Sequence, residues 1–350
     1  MSNWEKNVRK VVPYVPGEQP KLTSMIKLNT NENPYPPAPG VAKALASYDV
    51  DKERLYPDPT ADVLVSALAK YHGIDKENVF VGVGSDDVLS MCFLTFFNGE
   101  RPILFPDITY SFYDVWAGLY RIPYKTKALD EDFNIVPEDY FEENGGVVFA
   151  NPNAPTGALM SLEGIRTILE HNRDVVVIAD EAYIDFGGDT ALPLIREFDN
   201  LLVVRTFSKS RSMAGTRIGY AMGDKKIIKY LNDAKFSFNS YTMNRTSLAM
   251  GAASVEDEEY FRKTIDRIVA TRERVKKELK TLGFTFADSK SNFIFASYKT
   301  KKAEDIFTAL REENIFVRYF KKPRIDNYLR ITIGTDEEMD TLISFLKKYL

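Results

Sequence analysis

Short apolar runs alternate with predicted helices up to about residue 250 of the chain. The runs predicted as strands are Val79–Val83, Ile103–Phe105, Val147–Ala150, Val175–Ala179, Leu201–Arg205 and Ile218–Met222. Helices are predicted between several of these runs, from Asp86 to about Phe97 and over Leu162–Glu170, where Ser161 provides the N-cap. Short buried strands that alternate with helices predict an α/β fold, with a mainly parallel sheet covered on both faces.

The pattern changes near residue 250. A long amphipathic helix is predicted from about Asp257 to Leu282, and Gly283 ends it. Arg272 is the one polar residue on its apolar face. The elements predicted after it are a strand at Phe293–Ala296, a helix at Ala303–Glu312, strands at Phe316–Arg318 and Leu329–Ile333, and a closing helix. This part of the chain is predicted to form a smaller α+β domain.

The first forty residues are irregular and rich in proline, and they end in NPYPPAPG at residues 33–40. This composition is typical of an extended arm. The chain is therefore divided into an N-terminal arm (1–35), a large domain (36–250) and a small C-terminal domain (251–350).

Composition and charge narrow the class of protein. The net charge of −4 comes from 46 basic and 50 acidic residues with no basic cluster, which argues against a nucleic-acid partner. The apolar runs are too short to cross a bilayer, and the start MSNWEKNVRK has no apolar signal core. We therefore expect a cytoplasmic enzyme with no membrane partner.

The few cysteines and histidines exclude several kinds of chemistry. Cys92 is the only cysteine, so no internal disulfide can form, and its apolar surroundings predict a buried structural thiol. His72 and His171 are the only histidines, and neither a His-rich metal site nor a catalytic triad is expected from two isolated residues. Lys, Asp, Tyr, Arg or a cofactor must carry the chemistry, and no metal is expected.

Polar residues follow three of the predicted strands at their carboxyl ends. Asp180 comes directly after Val175–Ala179, Lys209 lies just beyond Leu201–Arg205, and the turn NPNAPTG at residues 151–157 follows Val147–Ala150. Ligands of open α/β sheets bind at these ends, so the three segments are expected to line one crevice. An acid, an amine and amide groups together suit an aromatic, anionic cofactor that bears a carbonyl group.

Ordered motifs run along nearly the whole chain. They are NTNENP at 29–34, YPDP at 56–59, GVGSD at 82–86, NPNAPTG at 151–157, DEAY at 180–183, SK at 208–209, RIGY at 217–220 and LRITIG at 329–334. Their order and spacing resemble those of the fold-type-I pyridoxal-phosphate enzymes, and within them the histidinol-phosphate aminotransferases. PYVPG at 13–17 resembles the latter group in particular. The resemblance implies a large domain with a mainly parallel seven-stranded sheet and a smaller α+β domain.

The resemblance also implies pyridoxal 5'-phosphate as the cofactor. Lys209 would bind it as a Schiff base and move a proton between the cofactor and the substrate's α-carbon. Asp180 would pair with the pyridine nitrogen and keep it protonated, and Tyr183 would donate to the ring hydroxyl. These three residues are the expected catalytic residues.

The cofactor phosphate needs hydrogen-bond donors and a permanent cation. The groups implied for it are the backbone amides of Ser85 and Asp86 at a helix start, the hydroxyls of Thr206 and Ser208, and the Arg217 guanidinium. Tyr110 resembles the aromatic residue that stacks on the ring. Tyr56 resembles a tyrosine that reaches the phosphate from a neighbouring subunit, so a homodimer with shared sites is expected, with the arm packed on the small domain and that subunit.

One position departs from the family pattern. The family commonly has Asn before Pro-Thr-Gly, where it binds the ring oxygen, whereas this chain has Ala154. Asn151 or Asn153 is expected to take over that hydrogen bond.

Four residues are expected at the substrate: Tyr14, Asn33, Arg318 and Arg330. In most of the superfamily the arginine that matches Arg330 grips the substrate's α-carboxylate, and its planar fork suits that group. Two arginines and a tyrosine also suit a phosphorylated substrate that has no carboxylate.

The expected reaction transfers an amino group between glutamate and imidazole-acetol phosphate, the keto partner of L-histidinol phosphate, in histidine biosynthesis. Two alternatives of the same fold remain open at this point, a threonine-phosphate decarboxylase and an aromatic amino-acid aminotransferase. A ligand-sensing regulator is a further class, but the short arm leaves no room for a preceding DNA-binding module.

Overall fold

The computed structural model describes residues 3–14, 18–20 and 24–350. The strands are β1 (Ile26–Lys27), β2 (Val79–Gly82), β3 (Ile103–Pro106), β4 (Tyr124–Lys127), β5 (Val147–Ala150), β6 (Val177–Asp180), β7 (Leu201–Thr206), β8 (Gly219–Gly223), β9 (Phe284–Phe286), β10 (Phe293–Tyr298), β11 (Ile315–Phe316), β12 (Arg318–Tyr319) and β13 (Tyr328–Thr332). The helices are α1 (Pro39–Ala46), α2 (Asp62–His72), α3 (Ser85–Phe96), α4 (Tyr113–Tyr120), α5 (Leu162–His171), α6 (Lys225–Phe238), α7 (Arg245–Glu256), α8 (Glu258–Thr281), α9 (Ala303–Glu312) and α10 (Asp336–Tyr349).

The larger sheet has seven strands within the described part of the chain, in the order β2-β8-β7-β6-β5-β3-β4. Strand β8 is antiparallel to both of its neighbours, and the other paired strands are parallel. The mainly parallel seven-stranded sheet expected from the sequence is therefore confirmed. The carboxyl ends of β5, β6 and β7 lie side by side in this sheet, because these three parallel strands are neighbours.

Both faces of this sheet are buried, which explains why its strands are continuous apolar runs. In β6, Val177 and Ala179 pack into one hydrophobic cluster while Ile178 packs into the cluster on the opposite face. Leu201 and Leu202 divide in the same way at the start of β7. Each fully buried side chain of this size contributes about 1.5–3 kcal/mol, so burial on two faces stabilises even four-residue strands.

The second sheet, β12-β13-β10-β9, is antiparallel and shares a hydrophobic cluster with α8 and α10. Arg272, the polar interruption on the apolar face of α8, is buried there. Its Nη1 donates to the carbonyl oxygens of Phe186 (2.8 Å) and Ser291 (2.9 Å), and its guanidinium pairs with Glu273. The polar interruption is therefore a buried cation that links α8 to the backbone at Phe186 and at Ser291.

The prediction of one strand at Phe316–Arg318 is wrong. The chain forms two short strands there, β11 and β12, and buried Val317 lies between them. Strand β11 pairs in parallel with β1 of the N-terminal segment, whereas β12 pairs with β13. The chain thus leaves one sheet and enters another at Val317, because its two pairing partners come from opposite ends of the sequence.

The predicted division into domains stays a prediction. Residue 250 falls inside α7, which packs against α1 and α2. Of the arm motif at residues 13–17, only Pro13 and Tyr14 lie within the described residues. Over the described ranges, we find no helix with the length and apolar character that crossing a membrane requires.

Candidate active site

The carboxyl ends of β5, β6 and β7 bring together the three segments singled out in the sequence. Ala150 is the register partner of Asp180, and Asp180 is the partner of Val204. The backbone continues this pairing beyond the strands, since Asn151 N–H donates to the Asp180 carbonyl at 2.8 Å. The NPNAPTG turn, Asp180 and the Lys209 loop therefore follow one another along the same sheet edge.

Asp180 is a buried carboxylate with two neutral hydrogen-bond donors. Oδ2 accepts from the Tyr113 hydroxyl at 3.0 Å, and Oδ1 accepts from the Ala182 N–H at 3.2 Å. Burial raises the pKa of Asp180 to about 7, although the bond from Tyr113 acts in the opposite direction. Among the described residues no Lys or Arg forms an ion pair with this acid. The site therefore holds an acid that lacks a cation.

The Tyr183 hydroxyl is oriented by Asn31. Nδ2 of Asn31 donates to the Tyr183 oxygen at 2.9 Å, and the Tyr183 ring lies edge-on to Phe293 at 5.1 Å. Thr332 holds Asn31 by accepting from its N–H at 3.1 Å and donating to its Oδ1 at 3.0 Å. Because Asn31 donates, the proton of Tyr183 is left free to donate elsewhere. The sequence placed Asn31 in a motif, yet only tertiary contacts reveal this role.

Lys209 projects its amine towards the N-terminal segment. Nζ donates to the Thr30 carbonyl at 3.0 Å and lies 5.8 Å from the centroid of the Tyr183 ring. Within the described residues it pairs with no carboxylate at salt-bridge distance. Within the described chain, the hydrogen bond of this amine therefore goes to a neutral carbonyl, and the Glu32 carboxylate interacts with it only at longer range.

The loop that carries Lys209 is fixed by two side chains. Asn33 Nδ2 donates to the carbonyls of Lys209 (3.1 Å) and Ser210 (3.2 Å), and the Ser210 hydroxyl donates to Asp185 at 2.6 Å. Arg205 pairs with Asp185 at 3.3 Å and with buried Glu181 at 3.0 Å, which links the loop back to β6. The predicted contact of Asn33 with substrate stays a prediction, because its amide is engaged with this loop.

The start of α3 lies beside the Arg217 guanidinium, an arrangement that suits an anion. Gly84 precedes this helix with φ of 88°, and no side chain caps the free N–H groups at its end. A Cβ atom at Gly84 would lie 2.5 Å from Nη2 of Arg217, so only glycine lets the guanidinium approach so closely. Arg217 itself adopts φ of 56°, a conformation that is costly for a residue with a side chain.

The Asp86 side chain has a role that the sequence did not reveal. Its Oδ2 lies 3.4 Å from Nη2 of Arg217, and its Oδ1 accepts from the Tyr110 hydroxyl at 2.7 Å. Tyr110 continues into a wall of rings, since Phe112 lies 5.5 Å from it and stacks on Tyr14 at 4.1 Å. Arg217, Tyr110 and Tyr14, predicted for the phosphate, the ring and the substrate, are therefore linked by contacts through Asp86 and Phe112.

Thr206 and Ser208 lie at the end of β7, beside the lysine loop. The Thr206 hydroxyl accepts from the Ser208 N–H at 3.1 Å and donates to the Ile218 carbonyl at 3.4 Å. Both residues are buried next to the segment that leads into Arg217. The Thr206 hydroxyl therefore lies close to the backbone next to Arg217.

Neither asparagine proposed to replace the usual residue at Ala154 has a free amide. Asn151 Oδ1 accepts from the Met160 N–H (2.8 Å) and its Nδ2 donates to the Met160 carbonyl (3.1 Å). Asn153 Nδ2 donates to the Ile108 carbonyl (2.8 Å), and its Oδ1 accepts from Thr109 (2.8 Å). Their direct contact with a cofactor stays a prediction, and the bonds seen here shape the turn itself.

Arg330 and Arg318 form a pair of cations without an acid. They are register partners on β13 and β12, and both guanidiniums lie over Phe320, at 5.6 and 5.5 Å from its centroid. Arg330 Nη2 donates to the Asn29 carbonyl at 2.9 Å, while its Nε is buried without a partner. Burial lowers the pKa of Arg330. No carboxylate among the described residues makes a salt bridge with either arginine.

Tyr56 lies apart from these groups within its own chain. Its side chain is 78% exposed and stacks on Tyr241 at 4.6 Å, while Arg245 donates to its carbonyl at 2.7 Å. Beside Arg217 the chain leaves an open cavity of about 310 Å³. The lining includes Val83, Thr216, Arg217, Thr242, Asn244 and Met250.

These groups together fit one kind of ligand. In the part of the chain that the structure describes, Asp180 is a buried acid with no ion pair, which suits a protonated ring nitrogen. The Lys209 amine is hydrogen-bonded to a neutral carbonyl, which suits reaction with a carbonyl group. An uncapped helix start with an arginine over it suits a phosphate. The residues present therefore fit pyridoxal 5'-phosphate.

Comparison with known proteins agrees with this geometry. Residues 23–346 match the family described as aminotransferase class I and II. The histidinol-phosphate aminotransferase of Lactococcus lactis subsp. cremoris (strain MG1363) is 54% identical over 348 residues, which are 99% of this chain and 98% of that protein. The corresponding protein of Clostridium botulinum (strain Langeland / NCTC 10281 / Type F) is 52% identical over 351 residues, covering 100% and 99%.

A solved structure shares the fold. The histidinol-phosphate aminotransferase of Sinorhizobium meliloti, in complex with pyridoxal 5'-phosphate, superposes with a TM-score of 0.85 at 24% identity. The match covers 93% of this chain and 92% of that one.

Proposed function

The chain belongs to the aminotransferase class I and II family, and from this membership we propose that it transfers an amino group between L-histidinol phosphate and 2-oxoglutarate. The products are imidazole-acetol phosphate and glutamate, and the reaction belongs to histidine biosynthesis. The main support is the Arg318–Arg330 pair, two cations that form no salt bridge with a described carboxylate. Arg330 lies over the Phe293 ring, which in turn contacts the Tyr183 ring. The substrates supply the missing negative charge.

The cofactor is pyridoxal 5'-phosphate, and when bound it supplies an electron-accepting ring that stabilises negative charge at the substrate's α-carbon. We assign its ring nitrogen to Asp180 and its ring oxygen to Tyr183, whose own proton Asn31 leaves free. We assign its phosphate to the N–H groups of Ser85 and Asp86, the hydroxyls of Thr206 and Ser208, and Arg217. The Tyr110 ring is assigned to the face of the cofactor.

Lys209 is assigned the covalent bond to the cofactor and the proton transfer. Once the incoming substrate has released its amine, Lys209 would take the proton from the substrate's α-carbon and deliver it to the cofactor. Asn33 and Ser210 hold the backbone of this loop, so the amine acts from a fixed position. Among the described residues, Nζ donates one hydrogen bond, to the neutral carbonyl oxygen of Thr30.

Arg330 and Arg318 are assigned to the anionic groups of both substrates. Glutamate presents carboxylates and histidinol phosphate presents a phosphate, and a guanidinium fork binds either group bidentately. Tyr14, on the ring wall that continues from Tyr110, is assigned to the same phosphate. One cation pair can therefore serve both half-reactions in turn.

The visible spectrum of the cofactor-loaded protein tests this function. L-Histidinol phosphate is expected to abolish the visible band of the bound cofactor, and 2-oxoglutarate is expected to restore it. A band that ignores histidinol phosphate but responds to phenylalanine would identify an aromatic aminotransferase instead. Release of carbon dioxide from threonine phosphate would identify the decarboxylase, and a protein that binds no cofactor would contradict the proposal at its root.

We also propose that the protein works as a homodimer in which Tyr56 completes the phosphate site of the partner subunit. Two observations support this proposal. Tyr56 is strongly exposed and stacks on Tyr241, whose side chain is also exposed. The cavity beside Arg217 is open, and the Thr242 hydroxyl that lines it has no hydrogen-bond partner within the described chain.

Mixing two inactive variants tests the shared site. Tyr56→Ala and Lys209→Ala chains, refolded together, are expected to regain about one quarter of wild-type activity at limiting cofactor, because random pairing makes half of the dimers mixed and each mixed dimer has one intact site. Each variant refolded alone is the control. A monomeric mass by light scattering, or no recovery on mixing, would refute the shared site. The cytoplasmic location stays a prediction from the sequence.

A further inference from the structure

Tyr113 is a buried residue that the sequence did not single out. It is the first residue of α4, and its ring packs among Phe93, Phe105 and Trp116 at centroid distances of 6.2, 5.9 and 6.3 Å. Phenylalanine would fill this aromatic cluster equally well. The hydroxyl, however, is fully buried and donates to Oδ2 of Asp180 at 3.0 Å.

The burial of that hydroxyl requires an explanation. A buried hydroxyl without a partner costs about 1–3 kcal/mol, so a tyrosine in an apolar cluster is expected to have a partner. Tyr140 provides a comparison within the same chain, because it is also buried and its hydroxyl has no hydrogen-bond partner among the described residues. The Tyr113 hydroxyl differs because it donates a hydrogen bond to Asp180, the carboxylate assigned to the cofactor's ring nitrogen.

We propose that Tyr113 is a positioning residue, which holds the Asp180 carboxylate in place and keeps it an acceptor for the protonated ring nitrogen of the cofactor. This inference rests on the proposed function, since it concerns the same site. The two oxygens of Asp180 are fixed from two directions, Oδ1 by the Ala182 N–H and Oδ2 by Tyr113. A carboxylate held at both oxygens cannot rotate away from its ligand.

The hydroxyl also balances the charges around Asp180. Asp86 on α3 and Glu181 after β6 are acids close enough to disfavour its ionised form, and burial acts in the same direction. The bond from Tyr113 opposes them, because a hydrogen bond to a carboxylate favours its charged state. Tyr113 remains a neutral donor, since burial and Asp180 raise its own pKa well above the ordinary value. Without this bond Asp180 would draw the proton away from the ring nitrogen.

Loss of the hydroxyl is expected to change the cofactor's visible spectrum. The visible band of the cofactor bound to Lys209 changes with pH as the nitrogen that joins them loses its proton. In Tyr113→Phe the midpoint of this pH titration should rise by about one unit. A less positive ring nitrogen makes the Lys209 nitrogen hold its proton more tightly. Turnover should fall about tenfold, with KM for histidinol phosphate changed less than about twofold, since the substrate's own contacts remain. Tyr140→Phe, which removes an unpartnered buried hydroxyl, is the matched control and should leave both quantities unchanged.

Two further variants complete the test. In an Asp180→Asn background the Tyr113→Phe change should have no further effect on the midpoint, because the hydroxyl then has no carboxylate to act on. Site-specific 3-fluorotyrosine at position 113 keeps the ring and strengthens the donor, so the midpoint should move down. This second variant also tests the proposal if Tyr113→Phe does not fold.

The outcomes separate this inference from the function it rests on. A wild-type protein that binds the cofactor and transaminates, together with a Tyr113→Phe variant that has the wild-type midpoint and turnover, would overturn the positioning role alone. So would equal shifts in Tyr113→Phe and Tyr140→Phe. A wild-type protein that shows no cofactor band would overturn the proposed function and this inference with it.

Discussion

Lys209→Ala is expected to reduce turnover about 10⁴-fold or more. The substitution removes both the covalent bond to the cofactor and the amine that moves the proton. Steady-state rates with histidinol phosphate and 2-oxoglutarate measure the loss. Borohydride reduction followed by mass spectrometry should attach the cofactor to residue 209 in the wild type and leave the variant unlabelled.

Lys235 offers a matched control for this prediction. It is buried, and its Nζ donates to a backbone carbonyl, that of Pro59, at 3.0 Å, as Nζ of Lys209 does to Thr30. Lys235→Ala is expected to lower the free energy of unfolding by about 1–3 kcal/mol but to retain turnover and labelling. Near-normal turnover in Lys209→Ala would remove the basis for the proposed chemistry.

Arg330→Met is expected to lower kcat/KM for histidinol phosphate about 10²–10³-fold, mainly through KM, because it removes the cation that holds the substrate's anionic group. The free energy of unfolding should rise or stay unchanged, although kcat/KM falls. Among the described residues Arg330 pairs with no carboxylate, so an apolar residue there removes an uncompensated buried charge, which offsets the loss of the hydrogen bond to the Asn29 carbonyl. Kinetics and chemical denaturation of the cofactor-free protein measure the two effects.

Arg272 is the control for the stability half of this prediction. It is also buried, but it donates to two carbonyl oxygens and pairs with Glu273. Arg272→Met leaves two buried carbonyl oxygens unpaired and is expected to cost about 2–6 kcal/mol of unfolding free energy, at about 1–3 kcal/mol for each. Arg330→Lys keeps the charge but loses the planar fork, and it should not restore KM. A destabilised Arg330→Met with unchanged KM would assign Arg330 to structure and not to substrate.

The sequence predicted the elements that local patterns control. Continuous apolar runs indicated the central strands because both faces of the sheet are buried, and the ends of β6 and β7 placed Asp180 and Lys209 correctly at one edge. Ser161 was recognised as a cap, and its hydroxyl does accept from the Gly164 N–H at 3.1 Å. These features depend on residues close together in the chain, so their signature is readable there.

Tertiary structure decided which side chains meet across the molecule. Asn31 on Tyr183, Tyr113 on Asp180 and Asp86 on Arg217 are pairs whose members are far apart in sequence. Hydrogen bonds between such distant residues leave no periodicity or spacing in the chain, because packing of whole elements brings them together.

The same limit explains the predictions that changed or stayed open. The Asn153 side chain is hydrogen-bonded to Ile108 and Thr109 on another loop. The NPNAPTG motif does not reveal these two bonds. The break at Val317 follows from a pairing between β11 and β1, at opposite ends of the chain. The sequence by itself therefore determined the fold class and the chemical groups at the sheet edge, whereas only the packed structure decided the partners of those groups. Burial leaves a pattern in neighbouring residues of the chain, but a hydrogen bond between distant residues leaves none.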